Sequence, residues 1–146
     1  MMLSQPQLEA WGERIGASVD VPVFFALSGD LGAGKSVLAR AIARGAGVAA
    51  VMPSPTFNLV FRYEAARGID VVHLDLYRLD HAKEVIELGW RELGTGNEIV
   101  LVEWPERAAA LLPSDRWEIR LEAAAPDTRN VTWTRHGDVP PLPEPA

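Results

Sequence analysis

The residues best suited to chemistry are a lysine and a serine at the end of a glycine-rich octapeptide. Residues 29–36 read GDLGAGKS, which fits the phosphate-binding P-loop pattern G-x-x-x-x-G-K-[ST]. Small residues let successive backbone N–H groups curve around a phosphate, and the following helix points the positive end of its dipole at the same anion. In this pattern Lys35 reaches the β- and γ-phosphates, and Ser36 places its hydroxyl on Mg²⁺. The octapeptide predicts a nucleotide site, and the alternative is a glycine-rich turn that binds nothing.

Two acidic residues at predicted strand ends are candidates for holding the metal. Glu103 follows the apolar run IVLV, and Asp75 follows VVHL. Ligands bind at the carboxyl edge of open α/β sheets, and P-loop proteins use an acid there to hold Mg²⁺ or its water. We expect Glu103 to bind the metal, because its strand has the stronger buried pattern. The alternative for either residue is a solvated acid at a strand end.

The rest of the chain narrows the choice of nucleotide and of chemistry. The guanine-binding pattern N-K-x-D is absent from the sequence, which favours adenine. No arginine-rich lid follows the P-loop, which disfavours a small-molecule kinase, although Asp75 could then be the base that activates an acceptor hydroxyl. A further alternative is an adaptor that binds nucleotide as a signal without needing to hydrolyse it. Arg62 and Arg78 could reach phosphate, and surface pairing with acids is an equal alternative for Arg62.

Composition and charge indicate the class of protein. The 146 residues are 48% hydrophobic and 23% charged, which is typical of one globular domain and not of a disordered chain. The formal net charge is −6, and residues 64–106 hold ten acidic residues against four basic ones. This balance disfavours direct binding of nucleic acid unless a partner supplies the positive surface.

Other features of the composition bear on compartment and domain organisation. The sequence has no cysteine, its longest apolar run covers residues 21–27, and residues 1–10 do not resemble a signal peptide. We therefore expect a soluble, cytoplasmic protein. Four of the eleven prolines lie in residues 137–146, so we expect a domain over residues 1–136 followed by an irregular tail.

Amphipathic helices and apolar strands alternate around the P-loop. Residues 8–15 predict a helix that ends at Gly16, and residues 21–28 predict a strand buried on both faces. Residues 36–44 predict a second helix, which ends at Gly45. The P-loop thus has the strand before it and the helix after it that the motif requires.

Strands predominate in the rest of the chain. Residues 57–64 and 69–76 predict a hairpin, and residues 98–104 predict a second buried strand. A short helix that stops at Gly89 precedes this strand, and a helix that begins at Pro105 follows it. The last two strands are predicted at residues 116–122 and 130–135.

Four short motifs occur in the same order and spacing as in one known family. They are the P-loop GDLGAGKS, SPTF at residues 54–57, HLDLYRL at residues 73–79 and EWPE at residues 103–106. With these motifs the chain resembles the TsaE family, also called YjeE, from about Leu8 to about Gly137. The resemblance implies an α/β fold with a single P-loop NTPase domain. Its mostly parallel central sheet would be extended by an antiparallel hairpin and covered by helices on both faces.

The resemblance also implies a function and partners. Members of the family act with the TsaD and TsaB proteins in the bacterial synthesis of threonylcarbamoyladenosine beside the anticodon of tRNAs. The chain is therefore expected to be an ATPase that uses ATP and Mg²⁺ as cofactors and is weakly active without these partners. The partners would hold the tRNA, and no membrane is involved.

Individual roles follow from the matched motifs. The resemblance implies that Ser36 and Glu103 hold Mg²⁺, that Asp75 orients the attacking water or the water shell of the metal, and that Thr56 senses the γ-phosphate. The implied catalytic residues are Lys35, Asp75, Thr56 and Glu103. The residues implied to contact the nucleotide are Asp30, Leu31, Gly32, Ala33, Gly34, Lys35, Ser36, Val37, Arg78 and Trp104.

Some positions are less informative or depart from the family pattern. Ser36 replaces the commoner threonine, which preserves the hydroxyl for Mg²⁺. Leu8 stands where the family commonly has threonine in the first helix, so a polar contact to nucleotide is not expected there. His73 and Tyr77 are interpreted as strand packing, whereas Trp104 fits equally well in the core or over the nucleotide.

Overall fold

The strands on either side of the P-loop belong to one mixed β-sheet. The computed structural model of the protein describes residues 1–49, 59–87 and 89–145. Within these residues the strands are β1 Met2–Ser4, β2 Val23–Ser28, β3 Val60–Glu64, β4 Asp70–Asp75, β5 Glu98–Glu103, β6 Arg116–Ala125 and β7 Thr128–His136. Their order across the sheet is β1-β7-β6-β2-β5-β4-β3, so β2, which leads into the P-loop, lies in the centre.

The central strands of the sheet are parallel and its edges are antiparallel. β2 pairs in parallel with β5 and β6, and β4 pairs in parallel with β5. β3 pairs antiparallel with β4, which confirms the predicted hairpin. On the opposite edge β7 pairs antiparallel with β6, and β1 with β7. This second antiparallel edge was not predicted; it forms because a short turn at Pro126 and Asp127 folds β7 back along β6.

Helices cover both faces of the sheet, which confirms the expected architecture. The α-helices are α1 Gln5–Ser18, α2 Lys35–Ala46 and α3 Lys83–Glu87, and the 3₁₀ helices are Ala66–Gly68, Trp90–Glu92 and Pro105–Leu111. α1 and α2 pack against the face that contains Phe25, whereas α3 and the last two 3₁₀ helices pack against the face that contains Phe24. Neighbouring residues of a strand point to opposite faces, so one continuous apolar run serves both cores. None of the helices in the described residues has the length and apolarity that crossing a bilayer requires.

Two glycines that were expected to end helices instead let α1 and α2 approach closely. Both helices continue past these residues, so the predicted ends at Gly16 and Gly45 are wrong. A Cβ on Gly16 would lie 1.9 Å from the carbonyl oxygen of Ile42, and a Cβ on Gly45 would lie 2.0 Å from that of Glu13. A glycine that ends a helix and a glycine that admits a neighbouring helix give the same local pattern, and only the packed structure separates them.

The helix predicted to begin at Pro105 is present but is a 3₁₀ helix. Pro105 is its first residue, a position where the missing N–H of proline costs nothing. The preceding residue, Trp104, has left-handed backbone angles, with φ 58 and ψ 50. Non-glycine residues in this region carry strain and concentrate at functional sites. The turn between β5 and this helix therefore depends on the left-handed backbone conformation of Trp104.

The proline-rich tail runs back along the domain. Residues 137–145 form no helix or strand. They are held by contacts with neighbouring elements. Nε1 of Trp11 in α1 donates to the carbonyl oxygen of Pro143 at 2.7 Å, and Nε1 of Trp117 in β6 donates to that of Pro140 at 2.8 Å. Val139, which immediately precedes Pro140, is buried in the core. The tail thus satisfies two indole N–H groups and adds one apolar side chain to the core.

Candidate functional site

The glycine-rich loop connects the buried strand β2 to the amino end of α2. Gly34 has a left-handed conformation (φ 108) immediately before the helix, and Lys35 and Ser36 are the first two helical residues. Because the residue before the helix is glycine, it offers no side chain to cap the first turn. The N–H groups of that turn, with the positive end of the helix dipole, can therefore receive an anion.

Lys35 is enclosed by the loop that precedes it. The residue is 4% exposed, and its Nζ donates to the carbonyl oxygens of Gly29 at 2.5 Å and Asp30 at 2.8 Å. The same nitrogen lies 4.1 Å from the centre of the Trp104 ring, which makes a cation–π contact. Burial lowers the pKa of Lys35, and nearby carboxylates, above all Glu103, partly offset this effect. Two carbonyl oxygens and one ring face thus hold the ammonium group inside the loop.

A chain of three side chains links α2 to β5 and β4. The Ser36 hydroxyl donates to Oε1 of Glu103 at 2.8 Å, and Oε2 of the same carboxylate lies 2.5 Å from Nε2 of His73. Glu103 is 2% exposed and His73 is 1% exposed. Burial alone would raise the pKa of Glu103, but the interactions with His73, the hydrogen bond from Ser36 and the charge of Lys35 together lower it. The carboxylate is therefore kept charged and fixed in orientation.

Asp75 lies beside Glu103 at the carboxyl edge of the sheet. The two residues are partners in the parallel register of β4 and β5. Oδ1 of Asp75 accepts a hydrogen bond of 3.0 Å from the backbone N–H of Tyr77. Burial raises the pKa of Asp75, and the charge of Glu103 adds to this effect. Two adjacent carboxyl groups with pKa values shifted in opposite directions can take different chemical roles.

One cavity of about 220 Å³ brings most of the predicted residues together. Its lining is Gln5, Leu31, Gly32, Gly34, Lys35, Ser36, Val37, Asp75, Glu103, Trp104 and Arg129. Ala33 is buried and outside this lining, and the exposed Asp30 lines a neighbouring cavity of about 480 Å³. Arg78 is exposed in the turn after β4 and is not among the described residues that line either cavity. Thr56 and the whole SPTF motif lie outside the described residues.

The donor set fits a Mg²⁺ ion that arrives with phosphate. Mg²⁺ prefers oxygen ligands and is commonly held by one or two carboxylates together with phosphates and water. Ser36 and Glu103 supply a hydroxyl and a carboxylate oxygen 2.8 Å apart. Within the described part of the chain, no group of three His, Asp or Glu residues is placed to hold a metal ion. The two oxygens therefore suit a metal whose remaining ligands come from a bound nucleotide.

Two aromatic rings stand beside the cavity. The Trp104 ring lies 4.9 Å from the Tyr77 ring, and Trp104 also packs partly against the apolar core on the α3 face of the sheet. Trp104 touches both the core and Lys35, so its packing alternative is confirmed in part, and its contact with nucleotide stays a prediction. Tyr77 is 44% exposed and follows the end of β4, so its interpretation as strand packing is wrong.

Sequence reasoning missed three residues at this site: His73, Arg129 and Gln5, which lies at the start of α1. His73 is buried in β4, as a packing role predicts, but its ring also contacts Glu103. Its position two residues before Asp75 is a usable signal, because alternate residues of a strand share a face. Arg129 of β7 lines the same cavity, yet nothing in the sequence around residue 129 distinguishes it from the other arginines.

Arg62 makes surface ion pairs. Its Nη1 lies 2.9 Å from Oδ2 of Asp70, and its Nη2 lies 2.6 Å from Oε2 of Glu98. The hydrogen bond to Glu98 raises the pKa of Arg62. These contacts confirm the pairing alternative for this residue and place it on β3, away from the described cavity lining.

Comparison with known proteins identifies the family. The family model described as "Threonylcarbamoyl adenosine biosynthesis protein TsaE" matches residues 2–131. The tRNA threonylcarbamoyladenosine biosynthesis protein TsaE of Bacillus subtilis (strain 168) is 35% identical over 112 residues, which cover 77% of this chain and 69% of the relative. The protein of the same name from Mycobacterium tuberculosis (strain ATCC 25618 / H37Rv) is 40% identical over 131 residues, which cover 84% and 78%.

A solved structure agrees with these sequence matches. The crystal structure of YdiB from Bacillus subtilis superposes with a TM-score of 0.75 at 27% sequence identity, covering 94% of this chain and 84% of that one. The family model therefore matches most of the chain, and the structural similarity to YdiB covers 94% of it. On these grounds the chain belongs to the TsaE family of threonylcarbamoyl adenosine biosynthesis proteins.

Proposed function

We propose that the protein binds and hydrolyses ATP with Mg²⁺ beside the P-loop, as a step in threonylcarbamoyladenosine synthesis on tRNA. The observation that carries this proposal is the 2.8 Å contact between the Ser36 hydroxyl and Glu103. It joins the hydroxyl of the P-loop to an acid from a separate strand, which is the protein donor set that P-loop NTPases use for Mg²⁺. Membership of the TsaE family supports the assignment to tRNA modification.

Nucleotide binding requires Lys35 to change partners. Its ammonium group donates to two carbonyl oxygens and faces the Trp104 ring. Phosphate oxygens are charged and are therefore stronger acceptors than carbonyl oxygens. Lys35 would exchange its present partners for the β- and γ-phosphates, and the N–H groups of the first turn of α2 would position them.

The acidic side chains take separate parts in this proposal. Ser36 and Glu103 hold Mg²⁺, and His73 fixes the orientation of Glu103 through its hydrogen bond. Asp75 stands next to Glu103 and would orient the attacking water or a water of the metal shell. When bound, Mg²⁺ offsets the negative charge of the phosphates.

We also propose that efficient hydrolysis needs the TsaD and TsaB proteins. Phosphoryl transfer depends mainly on positioning and charge stabilisation, so a P-loop site that lacks one group binds well and turns over slowly. The net charge of −6 disfavours direct binding of tRNA by this chain. The partners would therefore hold the tRNA, and ATP would act on the complex through this subunit.

Substitutions at Lys35 and Glu103 test the nucleotide site. We expect Lys35→Ala to abolish binding of a non-hydrolysable ATP analogue, because the phosphates lose the cation inside the loop. We expect Glu103→Gln to bind the analogue but to lose Mg²⁺-dependent hydrolysis by about a hundredfold or more, the usual scale for one electrostatic group. Isothermal titration with and without Mg²⁺ measures binding, and phosphate release measures hydrolysis.

The control for these variants is Lys83→Ala, because Lys83 is the other lysine of the chain and is exposed on α3. It should behave like the wild type in both measurements. Wild-type binding by Lys35→Ala, or wild-type hydrolysis by Glu103→Gln, contradicts the proposed site.

A separate experiment tests the partners. We expect the chain to co-elute with TsaD and TsaB on a sizing column in the presence of the ATP analogue, and its ATP hydrolysis to accelerate in the mixture. An unchanged rate and no complex would overturn the proposed partnership while leaving the nucleotide site intact. If Glu103→Gln supported full tRNA modification, the protein would act as a nucleotide-gated adaptor and hydrolysis would not be required.

A further inference from the structure

Arg129 of β7 lies against the P-loop with unused hydrogen-bonding capacity. A Cβ placed on Gly34 would lie 3.6 Å from both Cζ and Nε of Arg129, and the arginine lines the same cavity as Lys35. Its Nε and Nη1 atoms are buried and have no hydrogen-bond partner within the described residues. Buried donors without partners cost free energy, and a group in this state next to a ligand cavity is suited to receive the ligand.

The strand order places Arg129 and Glu103 on opposite sides of the P-loop. β5 is the immediate neighbour of β2, whereas β7 lies on the other side of β2, beyond β6. Three spacings of about 4.8 Å separate β5 from β7, which is about 14 Å in total. Glu103 and Arg129 therefore lie at opposite ends of the cavity.

The pairing of β6 with β7 also places Arg129 level with the P-loop at the carboxyl edge of the sheet. Ser28, the last residue of β2, pairs with Arg120, and β6 continues beyond this point to Ala123, the partner of Arg129. Arg129 and the buried Val131 are two residues apart in β7 and so share the face that carries α1 and α2. β1 pairs with β7 at this level and leads directly into Gln5, which lines the cavity as well.

Given the proposed function, on which this step rests, Ser36 and Glu103 would hold the metal beside the terminal phosphates. The terminal phosphate would then lie on the β5 side, and the rest of the nucleotide would extend towards β7. We infer that Arg129 binds the nucleoside part of the nucleotide, with its planar guanidinium group against the purine ring and its free N–H groups donating to the ribose. Planar guanidinium groups stack on aromatic rings, which an ammonium group does not do.

This contact makes Arg129 a specificity-determining residue. The phosphates are served by Lys35 and by the first turn of α2, which recognise any polyphosphate. A group that touches only the nucleoside distinguishes ADP from inorganic tripolyphosphate. Loss of Arg129 should therefore weaken nucleotide binding without weakening binding of the phosphate chain alone.

Titration of three variants with ADP and with tripolyphosphate, both with Mg²⁺, tests the inference. We expect Arg129→Gln to lower the affinity for ADP about tenfold, a typical loss for one good contact, and to leave that for tripolyphosphate within about twofold. We expect Arg129→Lys to restore less than half of the loss in binding free energy, because it returns the charge but not the planar group. The control is Arg120→Gln, an exposed arginine paired with Glu122 on β6, which should match the wild type.

The outcomes separate this inference from the proposed function. An equal loss for both ligands, full rescue by Arg129→Lys, or no loss in Arg129→Gln overturns the role of Arg129 while the wild type still binds ADP. If the wild type binds neither ligand, the proposed nucleotide site fails and the inference fails with it. Because two donors of Arg129 have no partner to lose, we expect Arg129→Gln to melt within a few degrees of the wild type without nucleotide. A large fall in its melting temperature would assign Arg129 a structural role and overturn the inference.

Discussion

Asp75 and Glu103 are neighbouring carboxyl groups whose pKa values shift in opposite directions. Glu103 is the more deeply buried, yet its contacts with His73 and Ser36 stabilise the charged form and lower its pKa. Asp75 has one backbone hydrogen bond, which does not offset burial and the charge of Glu103, so its pKa is raised. The partners of each carboxylate, rather than its residue type, decide how it titrates. The charged form of Asp75 therefore lowers the stability of the folded protein.

Asp75→Asn should reveal this loss of stability. A raised pKa means that the charged form is disfavoured in the folded state, so the wild type loses stability as the pH rises through the folded pKa of Asp75. Asparagine is neutral and keeps the oxygen that accepts from Tyr77, so the variant should melt at a higher temperature than the wild type at neutral pH. The difference should vanish as the pH falls below the ordinary pKa of a carboxyl group. Thermal melts across this pH range, without nucleotide or Mg²⁺, measure it.

The control for this variant is Asp127→Asn, in the exposed turn between β6 and β7. Its stability should stay within about 0.5 kcal/mol of the wild type, as is usual for surface substitutions. If Asp75→Asn melted below the wild type at neutral pH, the charged carboxylate would stabilise the fold, and the expected destabilisation by Asp75 would be wrong.

At the scale of elements, the contact between α1 and α2 holds the P-loop helix in place. Gly16 and Gly45 let backbone approach backbone, and the side chains of Trp11 and Ile42 fill the core around them. α2 therefore rests on α1 over its length, while its first turn carries Lys35 and Ser36 to the carboxyl edge of the sheet. The position of the first turn of α2 depends on how closely these two helices pack.

Gly45→Ala tests this dependence. Alanine favours a helix over glycine by about 1 kcal/mol, but its methyl group would meet the Glu13 carbonyl oxygen, and such overpacking costs about 1–3 kcal/mol. With so short a contact against backbone, we expect the variant to lose about 2 kcal/mol of unfolding free energy and about 4–8 °C in melting temperature. Chemical denaturation measures the loss.

The matched substitution is Gly96→Ala, because a Cβ on Gly96 meets nothing within 4 Å. It should leave stability unchanged within about 0.5 kcal/mol. If Gly45→Ala were as stable as the wild type, the two helices would have room to separate, and the close approach would not be required.

At the scale of the whole molecule, nine of the ten acidic residues in residues 64–106 fall into two groups, and the tenth, Glu84, is half-buried on α3. Asp75 and Glu103 belong to the site, and Asp70 and Glu98 pair with Arg62. The exposed acids of the segment are Glu64, Asp80, Glu87, Glu92 and Glu106. The first group thus has partners or a place in the site, and the second group is exposed, where it can meet a basic partner.

Salt should weaken the proposed complex with TsaD and TsaB. Attraction between exposed charges is screened at high ionic strength, so the association rate and affinity should fall as NaCl rises. Glu87→Lys should weaken binding at low salt, whereas Asp127→Lys, outside the segment, should have little effect. Surface plasmon resonance at increasing NaCl measures both. Affinity that does not change with salt would exclude the acidic surface as the docking face.

The sequence by itself determined the features that are contiguous in the chain. β2, the P-loop and the start of α2 follow one another, so the strand pattern, the glycines and the Lys35-Ser36 pair could be read together. Glu103 and Asp75 were found because each ends an apolar run, and the HLDLYRL and EWPE motifs that contain them identified the family. Each of these signals depends only on neighbours in sequence.

Tertiary structure decided the features that depend on neighbours in space. The register that sets Asp75 beside Glu103 and brings His73 to the same carboxylate comes from β4 pairing with β5. Arg129 reaches Gly34 only because β6 and β7 form the opposite edge of the sheet. Local patterns record what a residue can do in its own strand or helix. Which side chain lies opposite it is set by strand order and helix packing, and for this reason the sequence did not single out Gln5, His73 or Arg129.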